Sequence, residues 1–200
     1  YDRTNDTAFD RQYVYHPAWA ARILSETKPK EHIDISSILH FCSIVSAFIP
    51  VKFYDYRPAD LILDGLTTGQ ADLTALPFES DSIASLSCMH TVEHIGLGRY
   101  GDPLDPEGDL KAMRELKRVL APGGDLLFAV PVGKPKLMFN GHRIYAYAQI
   151  VDAFSGLDLK EFSLILDDSQ PGGLVRNASE DLADAQNYGC GCFWFRKRVL

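Results

Sequence analysis

The 200-residue sequence lacks any long hydrophobic run, and this limits the kind of protein that it encodes. The longest apolar stretch, residues 44–53, is interrupted by Ser46, Pro50 and Lys52, so we predict no membrane span. Basic residues are also few, since 20 Lys and Arg stand against 27 Asp and Glu and leave a net charge of −7. Because nucleic-acid binding depends on cationic side chains that neutralise phosphates, we predict no nucleic-acid partner.

Cysteine is scarce, and its spacing excludes the common cysteine frameworks. The chain contains only Cys42, Cys88, Cys190 and Cys192, and no two of them form a C-x-x-C pair. This usage is typical of a reduced protein without disulfides, and we therefore predict a cytoplasmic location. We interpret Cys190-Gly-Cys192 as the start of a strand, and we predict no metal site.

Apolar runs alternate along the chain with helical patterns. The predicted strands are 32–35, 51–55, 66–70, 82–89, 125–132, 159–166 and 192–199. The predicted helices are 17–27, 38–48, 109–120, 146–155 and a short one at 179–186, and we place Pro17 in a first helical turn. Such alternation favours an α/β fold with a mostly parallel sheet. We treat residues 1–200 as one domain, with 1–14 as a tail and 167–190 as a lid or an insertion.

Acidic residues stand at or just after the ends of three successive predicted strands. They are Asp34, Asp55 and Asp72. Ligands of open α/β sheets bind at the carboxyl ends of the strands, where a carboxylate can accept hydrogen bonds from a ribose diol or an amine. The alternative is that each aspartate caps a helix or forms a turn.

Three motifs extend this pattern into a family resemblance. They are Asp72-Leu-Thr-Ala-Leu-Pro-Phe-Glu-Ser-Asp-Ser-Ile83, Ser87-Cys-Met-His-Thr-Val-Glu-His-Ile95 and Glu115-Leu-Lys-Arg-Val-Leu-Ala-Pro-Gly-Gly124. Together they resemble class I S-adenosylmethionine-dependent methyltransferases, most closely the branch called type 11. Residues 96–105 also resemble a poorly characterised subset, filed as a domain of unknown function.

The resemblance implies a fold, a cofactor and an activity. The fold is a Rossmann-like, seven-stranded, mostly parallel sheet with helices on both faces and an antiparallel last strand. The cofactor is S-adenosylmethionine. The activity is methyl transfer, and the acidic composition and compact length favour a small-molecule or sugar (glycan) acceptor.

The resemblance also assigns cofactor-binding roles to individual residues. Asp34 would face the methionine amino group, and Asp55 would hold the ribose hydroxyls. Asp72 would accept from the adenine amino group, with the Leu73 backbone N–H beside it. His90 would line the methionyl and substrate side.

The loop after the first strand departs from the family pattern. That pattern is Asp-x-Gly-x-Gly-x-Gly, whereas this chain has Asp34-Ile-Ser-Ser-Ile-Leu-His40 without glycine. Ser36 is small enough to take a cofactor-binding place there, but Ile38 and His40 bring bulk toward the pocket. Since a β-branched residue disfavours positive φ, we predict negative φ throughout the loop. The departure supports an alternative function, a non-catalytic methyltransferase-fold binding protein.

Two histidines are candidate catalytic groups. His142 lies in a polar loop after the fifth strand and is suited to act as a general base. His94 ends the sequence His-Thr-Val-Glu-His, which also matches the H-x-x-E-H motif of zinc peptidases. That motif needs a helix, and Gly96 and Gly98 follow at once. A zinc hydrolase is therefore the weakest of the three candidate functions.

Overall fold

The apolar strand segments assemble into one mixed sheet. A computed structural model describes residues 7–167 and 172–199 of the protein. Its strands are β1 (His32–Ile35), β2 (Val51–Asp55), β3 (Leu66–Gln70), β4 (Ile83–Met89), β5 (Leu120–Val132), β6 (Lys136–Leu137), β7 (Arg143–Ile144), β8 (Leu157–Ile165), β9 (Leu174–Arg176) and β10 (Gly189–Lys197). Its helices are α1 (Arg11–Thr27), α2 (Leu39–Val45), α3 (Gly108–Val119), α4 (Tyr147–Ala153) and α5 (Glu180–Asp184), and Val92–His94 form one 3₁₀ turn.

The strand order of the main sheet is β3-β2-β1-β4-β5-β10-β8-β9. The strands β3, β2, β1, β4 and β5 pair in parallel, and β10 lies antiparallel between β5 and β8. The predicted α/β class and antiparallel last strand are confirmed. The predicted number of seven strands is wrong for this sheet, because the short β9 adds an eighth strand, antiparallel to β8.

Helices cover both faces of the sheet, as predicted. On one face, α3, α4 and α5 contribute to a core built around Leu116 and Phe128. On the other face, α1 and α2 contribute to a second core that includes Trp19 and Phe41. Because both faces are covered, β5 is apolar along most of its length and buried from Leu126 to Val132.

The helix α1 begins earlier than predicted. Asp10 caps it by accepting a hydrogen bond from the Tyr13 amide at 3.0 Å, so residues 11–14 are helical and do not form a tail. Pro17 therefore lies inside the helix and not in its first turn. The Trp19 indole donates to Glu161 in β8 at 3.0 Å and fixes α1 over the sheet. Residues 1–6 of the predicted tail lie outside the described residues.

The predicted lid or insertion at 167–190 contains ordered elements. Its strand β9 pairs with Ser163–Ile165 of β8, and its helix α5 contributes Ala183 to the core. Residues 168–171 lie outside the described part. No helix within the described ranges is long and apolar enough to span a membrane.

Candidate functional site

A cavity of about 320 Å³ opens at the carboxyl edge of the parallel strands. Six of the eight predicted site residues line it: Ser36, Asp55, Asp72, Leu73, His90 and His94. They follow β1, β2, β3 and β4 in turn, because parallel strands end at the same edge of a sheet. The other two predicted residues, Asp34 and His142, are not among its lining residues.

Two carboxylates stand on one side of the cavity, each held by its own loop. Asp55 ends β2, and its Oδ1 accepts a hydrogen bond from the Arg57 amide at 2.8 Å. Asp72 follows β3, and its Oδ1 accepts from the Thr74 amide at 2.8 Å and from the Thr74 hydroxyl at 2.7 Å. Within the described residues, the Oδ2 atom of each carboxylate has no protein hydrogen-bond partner, so both atoms are available to a ligand.

The serine loop after β1 adopts a glycine-like conformation. Ser36 has a φ of 55°, so the prediction of negative φ throughout the loop is wrong. The positive φ falls on Ser36 and not on Ile38, whose φ is −72°. Neither Ile38 nor His40 lines the cavity, since Ile38 packs against the α1 and α2 core and His40 is exposed. The bulk that replaces glycine therefore leaves the cavity open.

We expect Ser36→Gly to stabilise the fold by roughly 1 kcal/mol, because glycine adopts positive φ without strain. We expect the matched change Ser37→Gly to destabilise it by about 1–2 kcal/mol. The Ser37 hydroxyl accepts a buried hydrogen bond from the Met89 amide at 2.9 Å, and glycine removes that acceptor. Chemical unfolding of both variants measures the two effects. Equal destabilisation by both changes would contradict the strain at Ser36.

Asp34 lies beneath the loop and not on the cavity wall. Its side chain is fully buried, and it accepts hydrogen bonds from the Ser37 amide at 3.0 Å and from the Ser87 hydroxyl. The Ser87 oxygen also contacts His32, which reaches Ser85 on its other side. Burial raises the pKa of Asp34 to about 6, although its hydrogen bonds act in the opposite direction. This network joins β1 to β4 and supports the loop from below.

The two candidate catalytic histidines are neighbours with different access to the cavity. Their ring centroids lie 6.3 Å apart in an edge-to-face contact. His94 Nδ1 donates to the Gly141 carbonyl at 2.7 Å, so Nε2 carries the lone pair that can accept a proton, and it lies 3.8 Å from Glu93 Oε1. His142 Nε2 is buried without a hydrogen-bond partner among the described residues. Burial and the nearby His94 lower the pKa of His142, so its ring stays neutral near pH 7.

Residues 95–108 form one wall of the cavity. The sequence analysis assigned no role in the site to these residues individually. Gly96 has a φ of 77°, and a Cβ there would lie 2.0 Å from the Asp105 carbonyl oxygen, so this turn needs glycine. Asp102 accepts from the Gly96 amide at 2.8 Å and closes the turn. Arg57 lies 5.5 Å from the ring centroid of Tyr100 and joins this wall to the loop after β2. The signal in the sequence was the Gly-x-Gly-x-x-Gly spacing of residues 96–101.

On the side facing α1, His90 is enclosed by aromatic and polar groups. The Tyr13 ring stacks on it at 5.5 Å, and the His16 ring lies 4.9 Å away. His90 Nδ1 contacts Glu93 at 3.0 Å, and its Nε2 contacts Cys190 Sγ at 3.2 Å. Burial lowers the pKa of His90, but its contacts with Cys190 and Glu93 outweigh that effect and raise it. Tyr13 and His16 were not among the candidate site residues that the sequence indicated.

The H-x-x-E-H match does not adopt the helical arrangement that a zinc peptidase needs. Residues 92–94 form a single 3₁₀ turn and not a helix. Both rings contact Glu93 Oε1, His90 through Nδ1 at 3.0 Å and His94 through Nε2 at 3.8 Å, while the other ring nitrogens contact Cys190 and Gly141. The geometry therefore does not support a zinc-peptidase arrangement of these two rings.

The strand order and the cavity at the carboxyl edge define the class: the chain has the fold of class I S-adenosylmethionine-dependent methyltransferases. The N-methyltransferase NodS from Bradyrhizobium japonicum, solved with S-adenosyl-L-homocysteine, superposes with a TM-score of 0.65 at 14% identity, over 99% of this chain and 92% of that chain. The YcgJ protein from Bacillus subtilis superposes with a TM-score of 0.61 at 14% identity, over 92% of this chain and 100% of that one. The [4+2]-cyclase SpnF does so with a TM-score of 0.63 at 14% identity, over 92% and 82%.

The chain belongs to the DUF268 family, described as a Caenorhabditis protein of unknown function, whose model matches residues 76–175. No curated protein matches the chain significantly. The predicted resemblance to class I methyltransferases is thus confirmed for the fold, and the uncharacterised family agrees with the resemblance seen at residues 96–105.

Proposed function

We propose that the protein binds S-adenosylmethionine in the cavity and transfers its methyl group to a small-molecule or glycan acceptor. One observation carries this proposal: Asp55 and Asp72 share a cavity with Leu73 and Ser36, at the edge where ligands bind in open α/β sheets. At about 320 Å³ the cavity falls within the usual range of small-molecule sites.

The residues of the cavity fit the two ends of the adenosine group. The free Oδ2 of Asp55 suits the ribose hydroxyls, which are donors that a carboxylate can accept. Asp72 suits the adenine amino group, and the buried Leu73 beside it offers an apolar surface to the ring. Ser36, in its glycine-like conformation, brings the backbone close to the amino-acid end of the cofactor.

The acceptor end of the site is assigned to His94. The bound cofactor supplies a methyl group that its sulfonium already activates, so the protein's work is alignment and proton removal. His94 lines the cavity and carries a lone pair on Nε2, so it can take the proton that the acceptor loses, and the Glu93 carboxylate 3.8 Å away would stabilise the resulting cation. His142 packs against His94 and acts as a positioning residue for that ring.

We expect S-adenosylhomocysteine to bind the purified protein with one site per chain in a calorimetric titration. NADH, which other Rossmann-like sheets bind, serves as the control ligand and should not bind, because the cavity has no Gly-x-Gly-x-x-Gly turn after β1. No heat signal with S-adenosylhomocysteine at about 1 mM, well above a micromolar dissociation constant, would contradict the proposal.

A non-catalytic binding role is the second candidate. It is favoured by the loop after β1, in which Ser36, Ile38 and His40 replace all three glycines of the family pattern. The fold itself does not decide the reaction, since a [4+2]-cyclase shares it. Transfer of a labelled methyl group from S-adenosylmethionine distinguishes the two candidates. A non-catalytic protein that keeps the site binds S-adenosylhomocysteine but transfers no label to any acceptor tested.

A further inference from the structure

Three metal-ligand side chains from distant parts of the sequence meet beside the cavity. His16 comes from α1, His90 follows β4, and Cys190 lies in β10. Their ligand atoms all lie within 4.8 Å of one another, and the His90 Nε2 and Cys190 Sγ atoms are 3.2 Å apart. A zinc ion bound at about 2.0 Å from nitrogen and about 2.3 Å from sulfur separates its ligand atoms by about 3.5 Å. Small side-chain shifts would therefore close this group around an ion.

The His16 ring turns its lone pair toward the centre of the group. His16 Nδ1 lies 2.6 Å from the Gln12 carbonyl oxygen and donates to it, so Nε2 carries the lone pair. That Nε2 is buried, and within the described residues it has no hydrogen-bond partner. A buried polar atom without a partner is uncommon and calls for an explanation such as an ion.

The second ring has the outer contact that metal-binding histidines usually have. His90 Nδ1 contacts the carboxylate of the buried Glu93 at 3.0 Å, which turns Nε2 toward Cys190. A carboxylate behind a histidine in this way fixes the ring and makes it a better ligand.

A hydrogen bond between the Cys190 thiol and the His90 imidazole would not explain the position of the third side chain, His16. Cys190 can donate its S–H to His90, but His16 then keeps an unused buried lone pair. A cation satisfies all three ligand atoms at once. We propose that His16, His90 and Cys190 bind a zinc-type divalent ion beside the candidate active site. Two nitrogens and one sulfur suit zinc better than magnesium or calcium, which prefer oxygen ligands.

Three protein ligands leave one coordination position open, as in catalytic zinc sites. Of the three ligands only His90 lines the cavity, so the ion would lie behind the part of the cavity wall that His90 forms. An ion whose open position faced the cavity would bind an acceptor hydroxyl or thiol and favour its deprotonation. That consequence rests on the proposed methyl transfer, whereas metal binding itself does not.

The test measures metal content and ligand identity without the methyl cofactor. We expect the full chain, purified without chelator, to contain one equivalent of zinc by mass spectrometry. After chelation, titration with cobalt(II) should give the visible bands of a tetrahedral site and a sulfur-to-cobalt charge-transfer band in the near ultraviolet. Binding only of loosely held, multiple ions, or none, would overturn the proposal, and because the intact chain is used a misfolded variant cannot obscure that result.

Matched variants then identify the ligands. We expect His16→Ala and Cys190→Ser each to lower zinc affinity by at least tenfold, and Cys190→Ser to remove the charge-transfer band. Cys88→Ser is the cysteine control, since Cys88 is equally buried but belongs to the core on the opposite face of the sheet. His40→Gln is the histidine control, since His40 is exposed. Unchanged cobalt spectra in His16→Ala and Cys190→Ser would overturn the assignment.

Discussion

Asp55→Ala is expected to weaken S-adenosylhomocysteine binding at least tenfold. The carboxylate ends β2 on the cavity wall, and its Oδ2 has no protein partner among the described residues. In the proposed complex it accepts both ribose hydroxyls. A hydrogen bond to a charged acceptor contributes about 1.5–3 kcal/mol, and about 1.4 kcal/mol changes an affinity tenfold. Loss of either hydrogen bond is therefore enough for the expected effect, and calorimetric titration measures it.

The control for Asp55 is Asp60, an exposed aspartate in the loop that follows the same strand. It carries the same charge but does not line the cavity, so Asp60→Ala changes the net charge equally and should leave the affinity almost unaltered. Unfolding curves of both variants separate lost binding from lost stability, since Asp55 also accepts from the Arg57 amide. Matching affinities in the two variants would exclude the ribose role of Asp55.

Much of the fold was predictable because the apolar runs and turn-forming residues of the sequence end where the strand pairing in the structure ends. The bounds of β1, β2 and β3 agree with the sequence prediction residue for residue. Their apolar runs end at charged or turn-forming residues, so pattern and pairing agree. The start of α1 was missed although Asp10 is a common capping residue, because Pro17 was taken as the stronger sign of a helix start.

Elements that depend on distant contacts were not predictable. The strand β9 has only three residues and exists because β8 offers an edge to pair with. The fifth strand begins at Leu120, five residues before the predicted start, because Leu120 pairs with Ile83 across an irregular stretch. The Pro-Gly-Gly sequence, which lies between the predicted helix 109–120 and the predicted strand 125–132, falls in this irregular beginning of the strand.

The residues of the candidate site also fall into two groups, those that strand ends predict and those that only tertiary packing brings together. Asp55 and Asp72 were predictable, since each follows a strand and parallel strands end at one edge. His16 and Cys190 were not, because only the packing of α1 and β10 against the end of β4 brings them to His90. Asp34 was assigned to the cofactor by its place in the motif, but the structure buries it beneath the loop. The position of Asp34 in the sequence shows that it lies near the end of a strand, but it does not show in which direction its side chain points.

Asp34→Asn is expected to change how the stability of the fold depends on pH. Burial raises the pKa of the Asp34 carboxyl from 3.8 to about 6, so between these values the folded state binds its proton more tightly than the unfolded state. The resulting stabilisation is complete below about pH 3.8 and is lost as the pH rises to about 6. A shift of about 2 units at about 1.4 kcal/mol per unit corresponds to about 3 kcal/mol.

The asparagine has no such proton to lose, and its amide oxygen still accepts from the Ser37 amide. The free energy of unfolding of Asp34→Asn relative to the parent should therefore rise by about 3 kcal/mol between pH 4 and pH 7, as measured by urea unfolding at several pH values. Other titrating groups, including the buried His32, are present in both proteins and cancel in the difference. Asp152→Asn removes an exposed carboxylate from α4 and controls for the change in net charge. Parallel pH profiles of Asp34→Asn and the parent would mean that the pKa of Asp34 is the same in the folded and the unfolded protein, and its burial would then have to be offset by the Ser37 and Ser87 hydrogen bonds.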